Sequence, residues 1–225
     1  MTPLDPGAFA ANWEVSLPAL IVAVTAMIVM VADLFVSEPD RDGLAVVGIT
    51  GLVLAGATAV WFWSDGGGPG GFQDTLRADR YALYFAVLLC AGAALILLMS
   101  VDFLRQTPLP AGEYYVLVLL STAGMVLLAG ANDLIVLFLA LEIMSVAVYV
   151  LAGLLRHEAR STEAAVKYFL LGAFATGFLL YGIAFLYGAT GSTHLDVIAR
   201  HVARHGLESF TQIGMALLLV GFGFK

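Results

Sequence analysis

Long apolar runs recur along the chain, and short polar segments separate them. A helix needs about 20 mostly apolar residues to cross the hydrocarbon core of a membrane, and seven runs reach or approach this length. The pattern therefore predicts an all-α polytopic transmembrane bundle of about seven helices, of which the last is cut short. The predicted helices are Leu17–Val36, Leu44–Trp63, Tyr81–Val101, Tyr114–Ala131, Leu134–Leu155, Thr162–Tyr187 and Phe210–Lys225.

The polar segment before the last run, THLDVIARHVARHGLESF, is amphipathic. Its apolar residues Leu195, Ile198 and Val202 share one helical face, which predicts a short helix lying at the membrane interface. His201 and His205 are spaced i, i+4, as in some metal sites, but no nearby carboxylate or cysteine convincingly completes a ligand set. An interfacial helix is therefore the favoured interpretation.

The composition places the chain in a membrane. Hydrophobic residues make up 61% of the chain and charged residues 12%, against about 45–50% and about 25% in a typical soluble domain. The net charge of −7 comes without a basic stripe, so nucleic acid is not an expected partner. The glycine-rich stretch 65–71 lacks the Lys-Ser/Thr pair of a phosphate-binding loop and predicts a flexible turn.

The loop charges give no orientation. Arginines would normally concentrate on the cytoplasmic side, but the two predicted sides carry four each. One side has Arg77, Arg80, Arg200 and Arg204, and the other has Arg41, Arg105, Arg156 and Arg160. The apolar run ending at Lys225 has no polar tail, so we expect the natural protein to continue and this chain to be its N-terminal part.

Glu142 is the charge that the pattern places deepest. It lies nine residues after Asp133, or about 13 Å into a core of roughly 30 Å. An isolated carboxylate at that depth is costly, so Glu142 must be protonated or paired with a cation. The two interpretations are a role in proton transfer and a single ion pair that locks two helices together.

Two lysines also lie within or at the end of apolar runs. Lys167 lies about a turn inside the sixth helix, where it can also snorkel to the surface, and its contact with Glu142 is not assured. Lys225 follows GFGF, whose glycines permit a helix break of the kind found at transporter sites; it could equally be an ordinary cation at a helix end. Lysine can release a proton as its surroundings change, whereas arginine cannot. A glutamate–lysine pair is thus a candidate switch.

Several uncharged or terminal polar residues have two interpretations. Asn132 and Asp133 start the fifth helix, where capping explains them, although Asp133 could also mark the mouth of a proton path. Hydroxyl side chains within the apolar runs could line a hydrated path or bond back to helix carbonyls and join helices. These residues are Ser121, Thr122, Ser145, Tyr149, Thr176 and Tyr181.

Three stretches together resemble the subunit N family of the proton-translocating NADH–quinone oxidoreductase, respiratory complex I. They are NDLIVLFLALEIMSVAVYVLAG, the following R-x-x-x-R-S-T-E-A-A-V-K-Y-F-L-L-G-A-F-A-T-G-F-L-L-Y-G, and LLLVGFGFK. The likeness is strongest over Ala131–Gly191 and Gly221–Lys225, and the first hundred residues add mainly their helix count.

The resemblance implies an antiporter-like fold of two inverted five-helix repeats with flanking helices. Residues 1–110 would hold flanking helices 1–3, and residues 111–225 the first repeat up to its broken helix. Glu142 matches the family's fifth-helix glutamate, Lys225 the lysine of the broken seventh helix, and Lys167 a sixth-helix lysine. The resemblance therefore implies that these three residues form a proton path, without the eighth-helix lysine and second repeat of the family.

The resemblance also implies a membrane-arm subunit that couples quinone reduction elsewhere in the complex to proton translocation. No cofactor is expected in this chain; quinone, flavin and iron–sulfur clusters would belong to other subunits. Its partners would be other membrane subunits and lipid, in a bacterial inner membrane with the N-terminus on the periplasmic side. The alternatives are a subunit of a multi-subunit Na⁺/H⁺ antiporter and a purely structural membrane subunit, and KYFLLGAFATGFLLYG favours complex I.

Overall fold

The computed structural model describes residues 6–36, 42–66, 70–107 and 109–225, with side chains from residue 12 onward. Eight helices and a two-stranded hairpin make up this part of the chain. They are α1 (Pro6–Asp33), α2 (Asp42–Ser64), β1 (Gly70–Gly71), β2 (Leu76–Arg77), α3 (Arg80–Gln106), α4 (Ala111–Ala129), α5 (Leu134–Ala152), α6 (Ala159–Thr190), α7 (Leu195–His205) and α8 (Ser209–Phe224).

The predicted fold class is confirmed. Helices α1 to α6 are long and apolar enough to cross a membrane, and α8 is a shorter apolar helix. The amphipathic segment forms α7, as predicted. The main difference is at the N-terminus, where α1 begins at Pro6 rather than at Leu17. Proline is well suited to the first helical position because no helical bond needs its missing N–H. Arg41 and Pro108, like residues 67–69 of the glycine-rich stretch, lie outside the described residues.

Buried apolar side chains form two clusters. The larger one joins α1 to α4, and its fully buried members include Val22, Leu52, Leu97 and Leu119. The smaller one joins Leu134 of α5 to residues of α6 and α7, namely Ile183, Leu186 and Ile198. Many large apolar side chains outside these clusters are exposed on the helix surfaces, as expected of surfaces that lipid or other helices cover.

The segment between α2 and α3 is a hairpin rather than a simple turn. Its strands pair Gly70 with Arg77 and Gly71 with Leu76, and residues 72–74 adopt the left-handed conformation. The hairpin also bonds to the turn between α4 and α5. The Arg77 N–H donates to the Gly130 carbonyl at 2.8 Å, and the Asn132 N–H donates to the Thr75 carbonyl at 2.9 Å. The hairpin thereby ties the N-terminal helices to the start of α5.

Arg77 extends this connection to α7. Its guanidinium bonds Asp74 and Asp196, each at 2.5 Å. The Asp196 contact joins two of the segments that the sequence places on the same side of the membrane. Arg77 holds the pKa of Asp74 below its ordinary value by donating hydrogen bonds to it, and the two carboxylates raise the pKa of Arg77. The ion pairs therefore favour the charged forms of Asp74 and Arg77.

Replacing Arg77 by glutamine should lower stability by about 1 kcal/mol or less, because the ion pairs are partly exposed. Since folding lowers the pKa of Asp74, its contribution is present above the unfolded value of 3.8 and is lost as the pH falls through the lower folded value. The melting temperature of the purified variant protein, compared with that of Arg80→Gln on the exposed first turn of α3, measures the effect. Identical melting temperatures of the two variants between pH 7 and pH 4 would contradict this role.

Candidate functional site

Three polar side chains of α5 lie on one helical face. Glu142, Ser145 and Tyr149 are spaced i, i+3, i+7, which brings them to the same side of a helix. Asp133 caps α5 by accepting hydrogen bonds from the Ile135 and Val136 N–H groups at 2.8 and 3.4 Å. The start of α5 is thus fixed, and with it the position of this polar face within an otherwise apolar helix.

Lys225 meets this face from the end of α8. Its ammonium donates to Glu142 Oε1 at 2.9 Å, to Ser145 Oγ at 2.9 Å and to Tyr149 OH at 3.0 Å. The Lys225 side chain is 8% exposed and that of Glu142 is 26% exposed. A charge so far from water needs a partner of opposite charge. Glu142 and Lys225 are each other's partner in this ion pair. The structure therefore brings together Glu142 and Lys225, residues 83 positions apart.

A third helix contributes to the same site. The Thr176 hydroxyl of α6 lies 2.8 Å from Glu142 Oε1 and 3.0 Å from the Gly172 carbonyl. It can donate its one proton to either oxygen. If it donates to the carbonyl, its oxygen can accept a hydrogen bond from a neutral Glu142. Thr176 can therefore bind Glu142 in both of its protonation states.

Close backbone contact between α6 and α8 positions Lys225. A Cβ added to Gly182 would lie 2.9 Å from the Gly214 carbonyl oxygen, and one added to Gly214 would lie 3.0 Å from the Gly182 carbonyl oxygen. Nearer to Lys225, a Cβ on Gly221 would lie 2.5 Å from Leu179 Cγ. Small residues allow membrane helices to approach in this way, and here they bring the end of α8 to the face of α5.

Replacing Gly182 by alanine should separate α6 from α8. The added methyl meets backbone atoms of α8, and overpacking of this kind costs about 1–3 kcal/mol. Gly177→Ala is the matched control on the same helix, because nothing lies within 4 Å of its added Cβ and alanine favours a helix. The melting temperature of the purified protein should fall for Gly182→Ala and not for Gly177→Ala, and equal values for the two variants would contradict the packing argument.

Lys167 lies apart from this contact. It forms an ion pair with Glu163, one turn earlier on α6, and its side chain is 69% exposed. It lines a surface depression together with Arg156 and His157 at the turn between α5 and α6. The structure thus places Lys167 at the end of α6 where the sequence predicts that it can snorkel, and pairs it locally rather than with Glu142.

The other polar candidates occupy mostly structural positions. Asp133 is 4% exposed, and besides its capping bonds it accepts a hydrogen bond from Thr193 at 2.5 Å. Thr122 bonds back to the Val118 carbonyl, and Tyr181 is exposed. The rings of His201 and His205 stack with centroids 4.5 Å apart. Within the described part of the chain, no group of three or more His, Cys, Asp or Glu side chains is placed to hold a metal ion.

The sequence indicates Ser145, Tyr149 and Thr176 only as separate hydroxyl candidates. It does not indicate that Ser145 and Tyr149 both contact Lys225, or that Thr176 contacts Glu142. The spacing of Ser145 and Tyr149 from Glu142 was the available signal, since it places all three on one face. The contact of Ser145 and Tyr149 with Lys225 depends on how α8 packs against α6. The spacing of residues within α5 gives no information on that packing.

Comparisons with known proteins define the class. Residues 131–225 match the family model described as "NADH:quinone oxidoreductase/Mrp antiporter, TM". A chain of respiratory complex I from Thermus thermophilus superimposes with a TM-score of 0.72 at 31% identity, over 92% of this chain and 43% of that one. A chain of an archaeal membrane-bound sulfane sulfur reductase shares the fold, with a TM-score of 0.78 over 95% and 44% of the two chains, at 24% identity. The fold is thus shared with membrane subunits of the NADH:quinone oxidoreductase/Mrp antiporter kind.

Curated relatives narrow the class further. NADH-quinone oxidoreductase subunit N of Trichlorobacter lovleyi is 42% identical over 216 residues, which are 95% of this chain and 44% of the relative. Subunit N 2 of Roseiflexus castenholzii is 40% identical over 95% of this chain and 43% of its own. The chain belongs to the NADH-quinone oxidoreductase subunit N family, and it spans less than half the length of these relatives.

Proposed function

We propose that the protein translocates protons as a membrane-arm subunit of an NADH–quinone oxidoreductase, and that Glu142 and Lys225 carry the proton path of this chain. The observation that supports the proposal most directly is their contact. A carboxylate and an ammonium meet at 2.9 Å between two apolar helices, where buried charges most often serve ion or proton transfer.

The pair acts as a switch in this proposal. While Glu142 is ionised, its charge stabilises the ammonium of Lys225. When Glu142 is protonated or moves away, Lys225 is left as a buried cation and passes its proton to the next acceptor along the path. Quinone reduction in other subunits would drive this change through the electrostatics of neighbouring charges. When the negative charge returns to Glu142, it again stabilises the ammonium form, and Lys225 takes up a new proton from the entry side of the path.

Lys167 has a more peripheral part in the proposed path. Its ion pair with Glu163 and its position at the exposed end of α6 suit exchange with a neighbouring group rather than with Glu142. Replacing Lys167 by alanine should therefore lower the ratio of protons translocated to NADH oxidised only partly. A ratio equal to the wild-type value would remove Lys167 from the path.

The remaining assignments follow from the same proposal. Residues 1–110 form flanking helices and residues 111–225 the first antiporter-like repeat. The partners are other membrane subunits of the complex, which hold the quinone site, flavin and iron–sulfur clusters, and the surrounding lipid. The protein resides in a bacterial inner membrane with its N-terminus on the periplasmic side.

A subunit of a Na⁺/H⁺ antiporter is the second candidate function, because the matching family model covers both kinds of protein. Affinity purification of the full-length subunit from solubilised membranes distinguishes them. We expect flavin- and iron–sulfur-containing subunits to co-purify, together with NADH–quinone reductase activity. Co-purification of membrane subunits alone, with Na⁺/H⁺ exchange that needs no NADH, would overturn the proposal in favour of the antiporter.

A further inference from the structure

Two neutral hydroxyls share the Lys225 ammonium with Glu142. An ammonium has three N–H donors, and Lys225 has one acceptor for each: Glu142 Oε1, Ser145 Oγ and Tyr149 OH, all within 3.0 Å. Because the side chain is 8% exposed, water offers little replacement for any of them. Two of the three bonds do not depend on the charge of Glu142.

The Tyr149 hydroxyl is held in place by α6. Its oxygen occupies the space where Gly172 lacks a side chain, since a Cβ there would lie 1.9 Å from it. The ring meets Tyr168 and Phe169 edge-on, with centroids 4.8 and 5.9 Å away. The Lys225 nitrogen also lies 5.4 Å from the Tyr149 ring centroid, within cation–π range. A phenylalanine at 149 would keep these ring contacts and lose only the hydroxyl.

Ser145 is oriented by its own helix. Its hydroxyl donates to the Leu141 carbonyl at 2.7 Å, which leaves its oxygen lone pairs to accept from Lys225. Ser145 and Tyr149 lie on one face of α5 with Glu142, so the three acceptors move together with that helix.

We propose that Ser145 and Tyr149 are positioning residues that hold the Lys225 ammonium by two neutral hydrogen bonds when the negative charge of Glu142 is withdrawn. This inference rests on the proposed function of the Glu142–Lys225 pair. With the two hydroxyls in place, neutralisation of Glu142 removes the charge partner of Lys225 without releasing its side chain. Lys225 then loses and regains its proton at one position.

The titratable groups near Lys225 lie on α5 and α6. From α5, Glu142 and Tyr149 are the titratable groups in contact with it, and Ser209–Phe224 of α8 contains no ionisable side chain. From α6, Tyr168 lies behind the Tyr149 ring, and the Lys167–Glu163 ion pair is exposed. Loss of one hydroxyl should therefore act on Lys225 chiefly by removing an acceptor of its ammonium.

The test measures protons translocated per NADH oxidised against pH, with the full-length subunit in the assembled complex in liposomes. Tyr149→Phe removes one of the three acceptors of the ammonium, so Lys225 should lose its proton about one to two pH units lower. The alkaline fall of the ratio should shift by that amount. Ser145→Ala should shift it in the same direction, and Gly172→Ala should do so by displacing an intact Tyr149 hydroxyl.

Tyr168→Phe and Gly177→Ala are the matched controls and should keep the wild-type profile. Reductase activity in the presence of an uncoupler reports assembly of each variant. A Tyr149→Phe profile that superimposes on the wild type, or that falls equally at every pH without shifting, would overturn the positioning role. If Tyr149→Phe does not assemble, Ser145→Ala decides by the same criteria. Normal translocation by Lys225→Ala would instead overturn the proposed function. Failure of the positioning role and failure of the proposed function therefore give different results.

Discussion

Replacing Glu142 by glutamine should lower coupled proton translocation by more than about tenfold. The amide has the shape of the carboxylate and can still accept from Lys225 and Thr176, but it carries no negative charge and takes up no proton. A charge-assisted hydrogen bond contributes about 1.5–3 kcal/mol, and 1.4 kcal/mol corresponds to a factor of ten. The variant therefore removes the charge that holds the proton on Lys225 and leaves the packing of α5 unchanged.

Glu208→Gln is the control for this substitution. Glu208 is an exposed carboxylate at the start of α8, so its replacement removes the same charge outside the helix core. Proton uptake by liposomes containing the complex is measured together with NADH–quinone reductase activity. If both persist undiminished in Glu142→Gln, the Glu142–Lys225 pair only fixes packing and the proton path lies elsewhere.

The sequence predicts features that depend on neighbouring residues, and it does not predict those that depend on packing between distant segments. Apolar length and capping signals are local, and they give the helices and the start of α5 at Asp133. The α2–α3 hairpin is different, because its geometry depends on bonds from Arg77 to Gly130 and to Asp196. Asp196 lies 119 residues from Arg77, and no local pattern indicates such a pairing.

The same distinction applies to Glu142, Lys225 and Lys167. The depth of Glu142 follows from counting residues along α5, and it follows from that depth that Glu142 must be protonated or paired with a cation. Its pairing with Lys225 depends on the glycine contacts between α6 and α8, so the sequence indicates it only through the family resemblance. The partner of Lys167 was instead readable, because Glu163 precedes it by four residues and this spacing favours a local ion pair.

Replacing Lys225 by arginine should abolish the contribution of this chain to proton translocation while the complex still assembles. Arginine keeps a positive charge and offers donors to Glu142, Ser145 and Tyr149, so an ion pair that served only to join α5 and α8 would survive the change. Arginine does not release its proton in proteins, however, and a path that runs through Lys225 would stop. The substitution thus distinguishes proton transfer from structural pairing more sharply than removal of the charge does.

Lys225→Ala and Lys167→Arg complete the experiment. Alanine removes both charge and proton, and it should lower assembly as well as translocation because Glu142 loses its cation. Lys167 is exposed and paired with Glu163, so arginine there should be accommodated and tests whether its proton is needed. The measurements are the ratio of protons translocated to NADH oxidised and the yield of intact complex. Full translocation by Lys225→Arg would show that the buried lysine holds helices together and moves no proton.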